Sequence, residues 1–177
     1  MLLLPALAVG GLLLIISGAA KAHDPSSALE GLGRAGSTGT AAGGIRAVGA
    51  AELALGVAVL LSPTRLTTAA LALVYCLFAA VIEWQRRQPG LTSCGCLGRH
   101  SAPPSVVHTA LNLAFGSAAA VAAWVGGSPS LASAWRESPP LAIIAAAAIL
   151  AASALAAAVI RDLPELLSSY QRPAAER

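Results

Sequence analysis

Charged residues are scarce in this sequence. Asp, Glu, Lys and Arg make up 11% of the 177 residues, whereas hydrophobic residues make up 56%. A soluble domain normally has about a quarter of its residues charged, so this composition excludes a soluble globular enzyme and leaves no room for a separate catalytic domain. The mean hydropathy of +0.74 is typical of a chain whose main solvent is lipid.

Aromatic residues are also few, at 4%, and the basic residues behind the formal charge of +3 stand mostly singly. Nucleic-acid-binding proteins gather basic residues on one surface, often with aromatic rings, so no nucleic-acid partner is predicted. Cysteines number three, and two of them are separated by one residue. This odd count excludes a disulfide-stapled secreted module and favours local redox or metal chemistry.

Five apolar segments approach or reach the length needed to cross a bilayer core about 30 Å thick. They cover residues 2–20, 45–61, 66–84, 105–125 and 140–160. We predict an all-α, polytopic membrane helix bundle, with a four-helix core and an Ala-rich C-terminal helix. Residues 1–163 form one membrane domain and 164–177 a polar tail, because Asp162-Leu163-Pro164 is expected to stop the last helix. The first segment lacks a basic start, so we expect a retained helix and no cleaved signal peptide.

Basic residues divide unevenly between the two sides that five spans define. Nine of the eleven Lys and Arg residues lie on the side of the first loop, of residues 88–104 and of the C-terminal tail. Cytoplasmic loops are enriched in Lys and Arg. The distribution therefore predicts a multi-pass plasma-membrane protein with these three segments in the cytoplasm.

The loop of residues 88–104 contains Cys94-Gly95-Cys96. A disulfide across one intervening residue closes a tight ring, which is expected to be strained and easily reduced. Nearby Arg86, Arg87 and Arg99 would favour the reactive thiolate. The pattern predicts thiol–disulfide exchange by Cys94 and Cys96.

Two other interpretations of this loop stay open. The thiols could be inert parts of a turn, which leaves them without chemistry. Alternatively, Zn²⁺ or copper could bind a mixed sulfur and nitrogen set, for which the candidate ligands are Cys94, Cys96, His100 and His108.

Polar residues inside the spans are costly in lipid and point to a partner or a function. Glu52 in the second span is predicted either to pair with Lys21 or to accept protons or contact a quinone. His108 and Asn112 are four residues apart and share a helix face; His108 is a candidate proton acceptor for the cysteine pair. Cys76, deep in the third span, is expected to be a small buried residue, with a relay thiol as the alternative.

Several short motifs occur in a fixed order and together resemble the methylamine utilisation protein MauE family, which is related to DoxX-like membrane proteins. They are Ser17-Gly18-Ala19-Ala20-Lys21, Asp24-Pro25, Ala51-Glu52-Leu53-Ala54-Leu55-Gly56 and Cys94-Gly95-Cys96-Leu97-Gly98. The resemblance implies a multi-helix membrane protein of thiol–disulfide chemistry with a thioredoxin-like partner. In the namesake system it implies maturation of the disulfide-rich methylamine dehydrogenase subunit. Residue by residue it highlights Lys21, Glu52, Cys94, Cys96 and Gly98, with Leu97 where an aromatic residue is expected.

The predicted function is thus a membrane thiol–disulfide redox component that exchanges electrons through Cys94 and Cys96 with a thioredoxin-like partner. A second hypothesis is a non-catalytic scaffold or anchor subunit of a redox or respiratory membrane complex. A third is handling of zinc or copper at the cysteine loop. No cofactor is firmly implied, although a quinone is compatible with the pattern, and whether the chain is itself a thiol-disulfide oxidoreductase is left open.

Overall fold

The computed structural model describes residues 3–91, 93–96, 102–126 and 130–171. Within these ranges the chain forms seven helices and no β-strand. They are α1 (Leu4–His23), α2 (Ser26–Gly31), α3 (Thr40–Leu61), α4 (Arg65–Arg86), α5 (Val106–Trp124), α6 (Leu131–Glu137) and α7 (Pro139–Gln171). Five of them, α1, α3, α4, α5 and α7, are long and apolar enough to cross a membrane. The prediction of an all-α, five-span bundle is confirmed.

Helices α1 and α3 pack backbone against backbone because glycines face each other at two levels. A Cβ atom on Gly18 would lie 2.5 Å from the carbonyl oxygen of Gly49, and one on Gly56 would lie 2.6 Å from that of Gly11. Small residues allow this approach between membrane helices. The close pairing brings the last turns of α1 against the middle of α3.

Helices α4 and α5 form a second pair, and the two pairs meet around Tyr75 of α4. Its hydroxyl donates a hydrogen bond to the carbonyl oxygen of Gly10 at 2.7 Å. Its ring lies 6.0 Å from that of Phe78 and 5.4 Å from that of Phe115, measured between centroids. The buried core cluster consists of Leu7, Leu14, Val59, Leu71, Tyr75, Ala119 and Ala122. These residues come from α1, α3, α4 and α5, which form the four-helix core.

The helix boundaries differ from the predicted spans in several places. Helix α3 begins at Thr40, because the turn before it ends at Gly39, whose φ is 67°, and Gly43 and Gly44 stay helical. Two short helices, α2 and α6, lie between the predicted spans. The expected stop at Pro164 is wrong, since α7 continues to Gln171. Proline removes one backbone donor but keeps a helical φ, so a helix can pass through it with one hydrogen bond fewer.

Candidate functional site

The turn Cys94-Gly95-Cys96 lies directly on α2. Gly95 has a φ of 67°, which favours glycine, and a Cβ atom on it would clash with the carbonyl oxygen of Ser27. A Cβ atom on Gly31 would lie 2.6 Å from the carbonyl oxygen of Cys94. Glycines on both partners therefore let the turn and α2 touch through their backbones, which fixes the position of the two thiols.

Gln85, at the end of α4, holds this turn in place. Its fully buried side chain donates through Nε2 to the carbonyl oxygens of Gly31, at 2.8 Å, and Cys94, at 3.1 Å. The backbone N–H of Cys94 donates to Ala102 at 3.1 Å. Gln85 was not predicted as a site residue, because it stands in a charged run that is typical of a membrane anchor. The one sequence feature that could have indicated a structural role for Gln85 is its neutral amide side chain between Trp84 and two arginines.

Cys94 carries the more acidic thiol. Its side chain is buried, and its Sγ accepts a hydrogen bond from the backbone N–H of Cys96 at 3.4 Å. Hydrogen bonding from the Cys96 side chain, followed by that from His108 and from the Cys96 backbone, outweighs burial and lowers the pKa of Cys94 to about 4. Cys94 is therefore a thiolate at neutral pH, which is the nucleophilic form.

Cys96 is shifted in the opposite direction. The hydrogen bond between its side chain and Cys94, and then burial, raise the pKa of Cys96 well above its ordinary value. Lys21 acts against this rise and Glu52 adds to it. The Cys96 sulfur also lies 3.7 Å from the carbonyl oxygen of Cys94, which is an alternative acceptor for the same S–H proton. The turn thus holds one thiolate and one protonated thiol, a division suited to an attacking and a resolving cysteine.

His108 lies in the first turn of α5 and is 3% exposed. Its Nδ1 is 2.7 Å from the hydroxyl oxygen of Ser105, and Asn112 donates to its backbone carbonyl at 2.8 Å. Its Nε2 has no hydrogen-bond partner among the described residues. The ring lowers the pKa of Cys94 by hydrogen bonding and charge. His108 is therefore placed to exchange protons with the thiol turn.

Lys21 and Glu52 form an ion pair at the same end of the bundle. Nζ of Lys21 lies 2.8 Å from Oε2 of Glu52. It also donates a hydrogen bond to the Ser17 hydroxyl at 2.5 Å, and that hydroxyl donates to Oε2 of Glu52 at 3.0 Å. The ammonium also lies 5.3 Å from the Phe78 ring centroid, a cation–π contact. Oε1 of Glu52 has no partner among the described residues. Ser17 was not predicted, although it precedes Lys21 by one helical turn.

Some predicted site residues cannot be placed. Gly98 and His100 lie outside the described residues, so the supporting role of Gly98 and the metal set that includes His100 stay predictions. Among the residues that the structure describes, no group of three or more His, Cys, Asp or Glu side chains could hold a metal ion.

Other expectations meet a different geometry. Arg86 and Arg87 pair with Glu83, at 2.5 and 3.3 Å, and the charge that acts on Cys94 comes from His108 instead. Cys76 is exposed on α4 rather than buried, and its sulfur lies beside Gly116 of α5. It is separate from the thiol turn and serves as an internal control for reactivity.

The family model described as methylamine utilisation protein MauE matches residues 1–125 of the chain. The chain belongs to the MauE family. The match includes α1 to α5, and with them the thiol turn, the ion pair and His108, whereas α6 and α7 lie beyond it. No curated protein and no solved structure shows significant similarity to the chain. With its five apolar spans, this MauE protein is a multi-pass membrane protein.

Proposed function

We propose that this MauE protein is a membrane thiol–disulfide redox component that exchanges electrons with a thioredoxin-like partner through Cys94 and Cys96. By analogy with the family name, the exchange would serve maturation of a redox enzyme, as in methylamine utilisation. The geometry of the thiol turn is the main support for this proposal. Two thiols share one glycine turn, with the Cys96 N–H 3.4 Å from the Cys94 sulfur, and a buried glutamine and α2 hold that turn beside a histidine and an ion pair.

The exchange begins with Cys94. Its thiolate attacks one sulfur of a disulfide in the partner, which forms a mixed disulfide and releases the partner's other sulfur as a thiolate. Cys96 then loses its proton and attacks the Cys94 sulfur, which closes the Cys94–Cys96 disulfide and releases the partner as a dithiol. Two electrons pass to the partner, and the same steps in reverse pass them back. Because Cys94 is 4% exposed, partner docking must shift part of the loop.

The ion pair serves the second step. Resolution requires the Cys96 thiolate, which Lys21 favours and Glu52 opposes. We assign Glu52 as the proton acceptor, because its Oε1 is free of hydrogen bonds to the described residues and its charge already acts on Cys96. His108 supports the first step by stabilising the Cys94 thiolate.

We place the protein in the plasma membrane with the thiol turn in the cytoplasm, since nine of its eleven Lys and Arg residues lie on that side. A role in maturation outside the cytoplasm would require the opposite orientation. Alkylation of intact cells with a membrane-impermeant and a permeant reagent separates the two orientations, because only an extracytoplasmic turn reacts with both.

The function is tested by trapping the mixed disulfide. With its resolving thiol removed, Cys96→Ser should accumulate a mixed disulfide between Cys94 and the partner, visible on a non-reducing gel and identified by mass spectrometry. Cys94→Ser should trap far less, and Cys76→Ser should match the unmodified protein. In cells, Cys94 and Cys96 should be found partly as a disulfide that shifts with reduction.

Other outcomes identify the competing hypotheses. If Cys94→Ser/Cys96→Ser keeps both partner binding and cellular function, the protein is a scaffold. If the thiols are protected until a chelator is added, and the purified protein holds zinc or copper that the double variant lacks, the loop handles metal. An electron carrier should keep partner binding and lose function.

A further inference from the structure

A small cavity lies inside the helix bundle next to the thiol turn. Cys96 forms part of its wall, so this thiol faces the membrane interior. The other walls combine three aromatic rings with two polar side chains and several aliphatic ones. The polar and aromatic members are Ser17, Tyr75, Phe78, Asn112 and Phe115.

The two thiols of the turn therefore face different surroundings. Cys94 interacts with His108 at the start of α5, on the loop side, where a protein partner can dock. Cys96 lines a largely apolar space among membrane-spanning helices. The pair connects a position at the loop with a position at an apolar cavity of the bundle, and a second electron partner at Cys96 would have to be soluble in lipid.

We propose that this cavity binds a lipid-soluble quinone that takes electrons from the Cys94–Cys96 dithiol. This inference rests on the proposed function, since it names the acceptor for the same pair. In the reaction the S–H bond of Cys96 breaks, and one S–S bond forms between its sulfur and that of the Cys94 thiolate. The two electrons, the Cys96 proton and one proton from water convert the two carbonyl oxygens of the quinone into hydroxyls. The new disulfide then oxidises a dithiol in the protein partner.

The chemistry of the walls suits this ligand. Ligand sites are mostly apolar, with a few polar groups that orient the ligand. Aromatic rings pack favourably against a flat ring, and Tyr75, Phe78 and Phe115 provide them. The side-chain amide of Asn112 lies in the same cavity. It donates one N–H to the His108 carbonyl, and its second N–H can hydrogen-bond an oxygen of a quinone beside the Cys96 sulfur.

Binding requires one wall to move. The open space is about 50 Å³, which is room for a water molecule or two and less than a substituted quinone ring needs. Ile160 closes the cavity on the side of α7. Only 11% of the membrane-spanning part of α7 is buried, against 50% for α1, so α7 is the span least enclosed by the bundle. We infer that the quinone enters by displacing α7 at Ile160, without disturbing the four-helix core.

The test uses the full chain in lipid nanodiscs, reduced and kept without oxygen, with decylubiquinone as the probe. One quinol should form for each Cys94–Cys96 disulfide. Cys96→Ser should abolish the reaction. Ile160→Trp should slow it about tenfold, because it overfills the entrance, and Asn112→Leu should slow it by removing a polar contact. Ile144→Trp, at a position of α7 that is 65% exposed, is the matched control and should react at the unmodified rate.

A parallel assay of each variant measures disulfide exchange with reduced thioredoxin. If Ile160→Trp exchanges disulfides at the unmodified rate, the variant is folded. If it loses exchange, the rate of quinone reduction by Asn112→Leu becomes the test of the cavity. Normal exchange without quinone reduction by the unmodified chain overturns the inference and leaves the proposed function intact. The inference is also overturned if neither Ile160→Trp nor Asn112→Leu slows quinone reduction. If the unmodified chain shows no exchange, the proposed function fails, and the inference fails with it.

Discussion

The alkylation rate of Cys94 should depend on pH differently from that of an ordinary cysteine, because its pKa is lowered. A thiol with a pKa near 9 is about 1% thiolate at pH 7, whereas Cys94, with a pKa of about 4, is almost fully thiolate, a gain of about a hundredfold. A less basic thiolate is also a weaker nucleophile. With a Brønsted coefficient of about 0.4–0.5, a difference of five pKa units costs a factor of about 100 to 300. These two effects nearly cancel at pH 7, so a rate measured there is uninformative.

The difference appears at acidic pH. At pH 5 the ordinary thiol is about 0.01% thiolate, while Cys94 is still about 90% thiolate. After the loss in nucleophilicity, the net advantage of Cys94 is roughly 30- to 90-fold. Its alkylation rate should stay flat from about pH 5 to pH 8 and fall tenfold per unit below its pKa of about 4. Cys96, whose pKa is raised, should react slowly over this whole range.

The assay treats the protein in nanodiscs with a small uncharged alkylating reagent across this pH range and reads each cysteine by mass spectrometry. The same chain unfolded in detergent gives the reference, in which thiols titrate near pH 8.5. Because Cys94 is 4% exposed, burial lowers all its rates by a common factor, and the shape of the profile carries the test. A rate that rises tenfold per pH unit up to pH 8 would refute Cys94 as the attacking thiolate.

Three further variants probe the surroundings of the turn. His108→Ala should raise the pKa of the attacking thiol, so the fall in its alkylation rate should begin at higher pH; an unchanged profile contradicts the role of the ring. Lys21→Met should cost about 3–5 kcal/mol of unfolding free energy in denaturing detergent, and adding Glu52→Gln should recover most of it, because the first change alone strands a buried charge. A double variant as unstable as the summed single ones would contradict this. Gly18→Ala should lower the free energy of unfolding by about 1–3 kcal/mol, because its Cβ meets the backbone of α3. Gly43→Ala is the control and should not destabilise the protein, because its Cβ meets nothing within 4 Å. Equal melting temperatures of the two variants would refute tight pairing of α1 and α3.

The number of spans could be predicted because runs of apolar residues determine which segments enter lipid. The helix ends could not. Gly43 and Gly44 made the start of α3 look irregular, and Pro164 looked like a stop, yet both segments are helical. At the two glycines, an intact ladder of backbone hydrogen bonds overrides a weak local preference. At Pro164 the helix continues with one hydrogen bond fewer. The bounds of the short helices α2 and α6 could not be predicted, because six or seven residues carry little periodic signal.

Part of the site could also be predicted. An isolated carboxylate in a span requires a cation, which identified Lys21 as the partner of Glu52, and the structure contains that pair. The unlike states of Cys94 and Cys96 could not be predicted, because they depend on how the turn is oriented. That orientation comes from Gln85 and from α2, which the sequence showed only as an anchor and a loop.

In the proposed exchange, the resolving step gives a role to an ion pair, rather than a single charge, acting on Cys96. While the pair is intact, Lys21 lowers and Glu52 raises the pKa of Cys96, and the thiol keeps its proton. If that proton passes to Glu52, the carboxylate loses its charge and the ammonium of Lys21 is no longer opposed. The field at Cys96 then favours the thiolate at the moment when it must attack the mixed disulfide. The proton transfer thus changes both the base and the field in one event, and the close packing of α1 on α3 at Gly18 and Gly49 keeps the two charges near enough for that coupling.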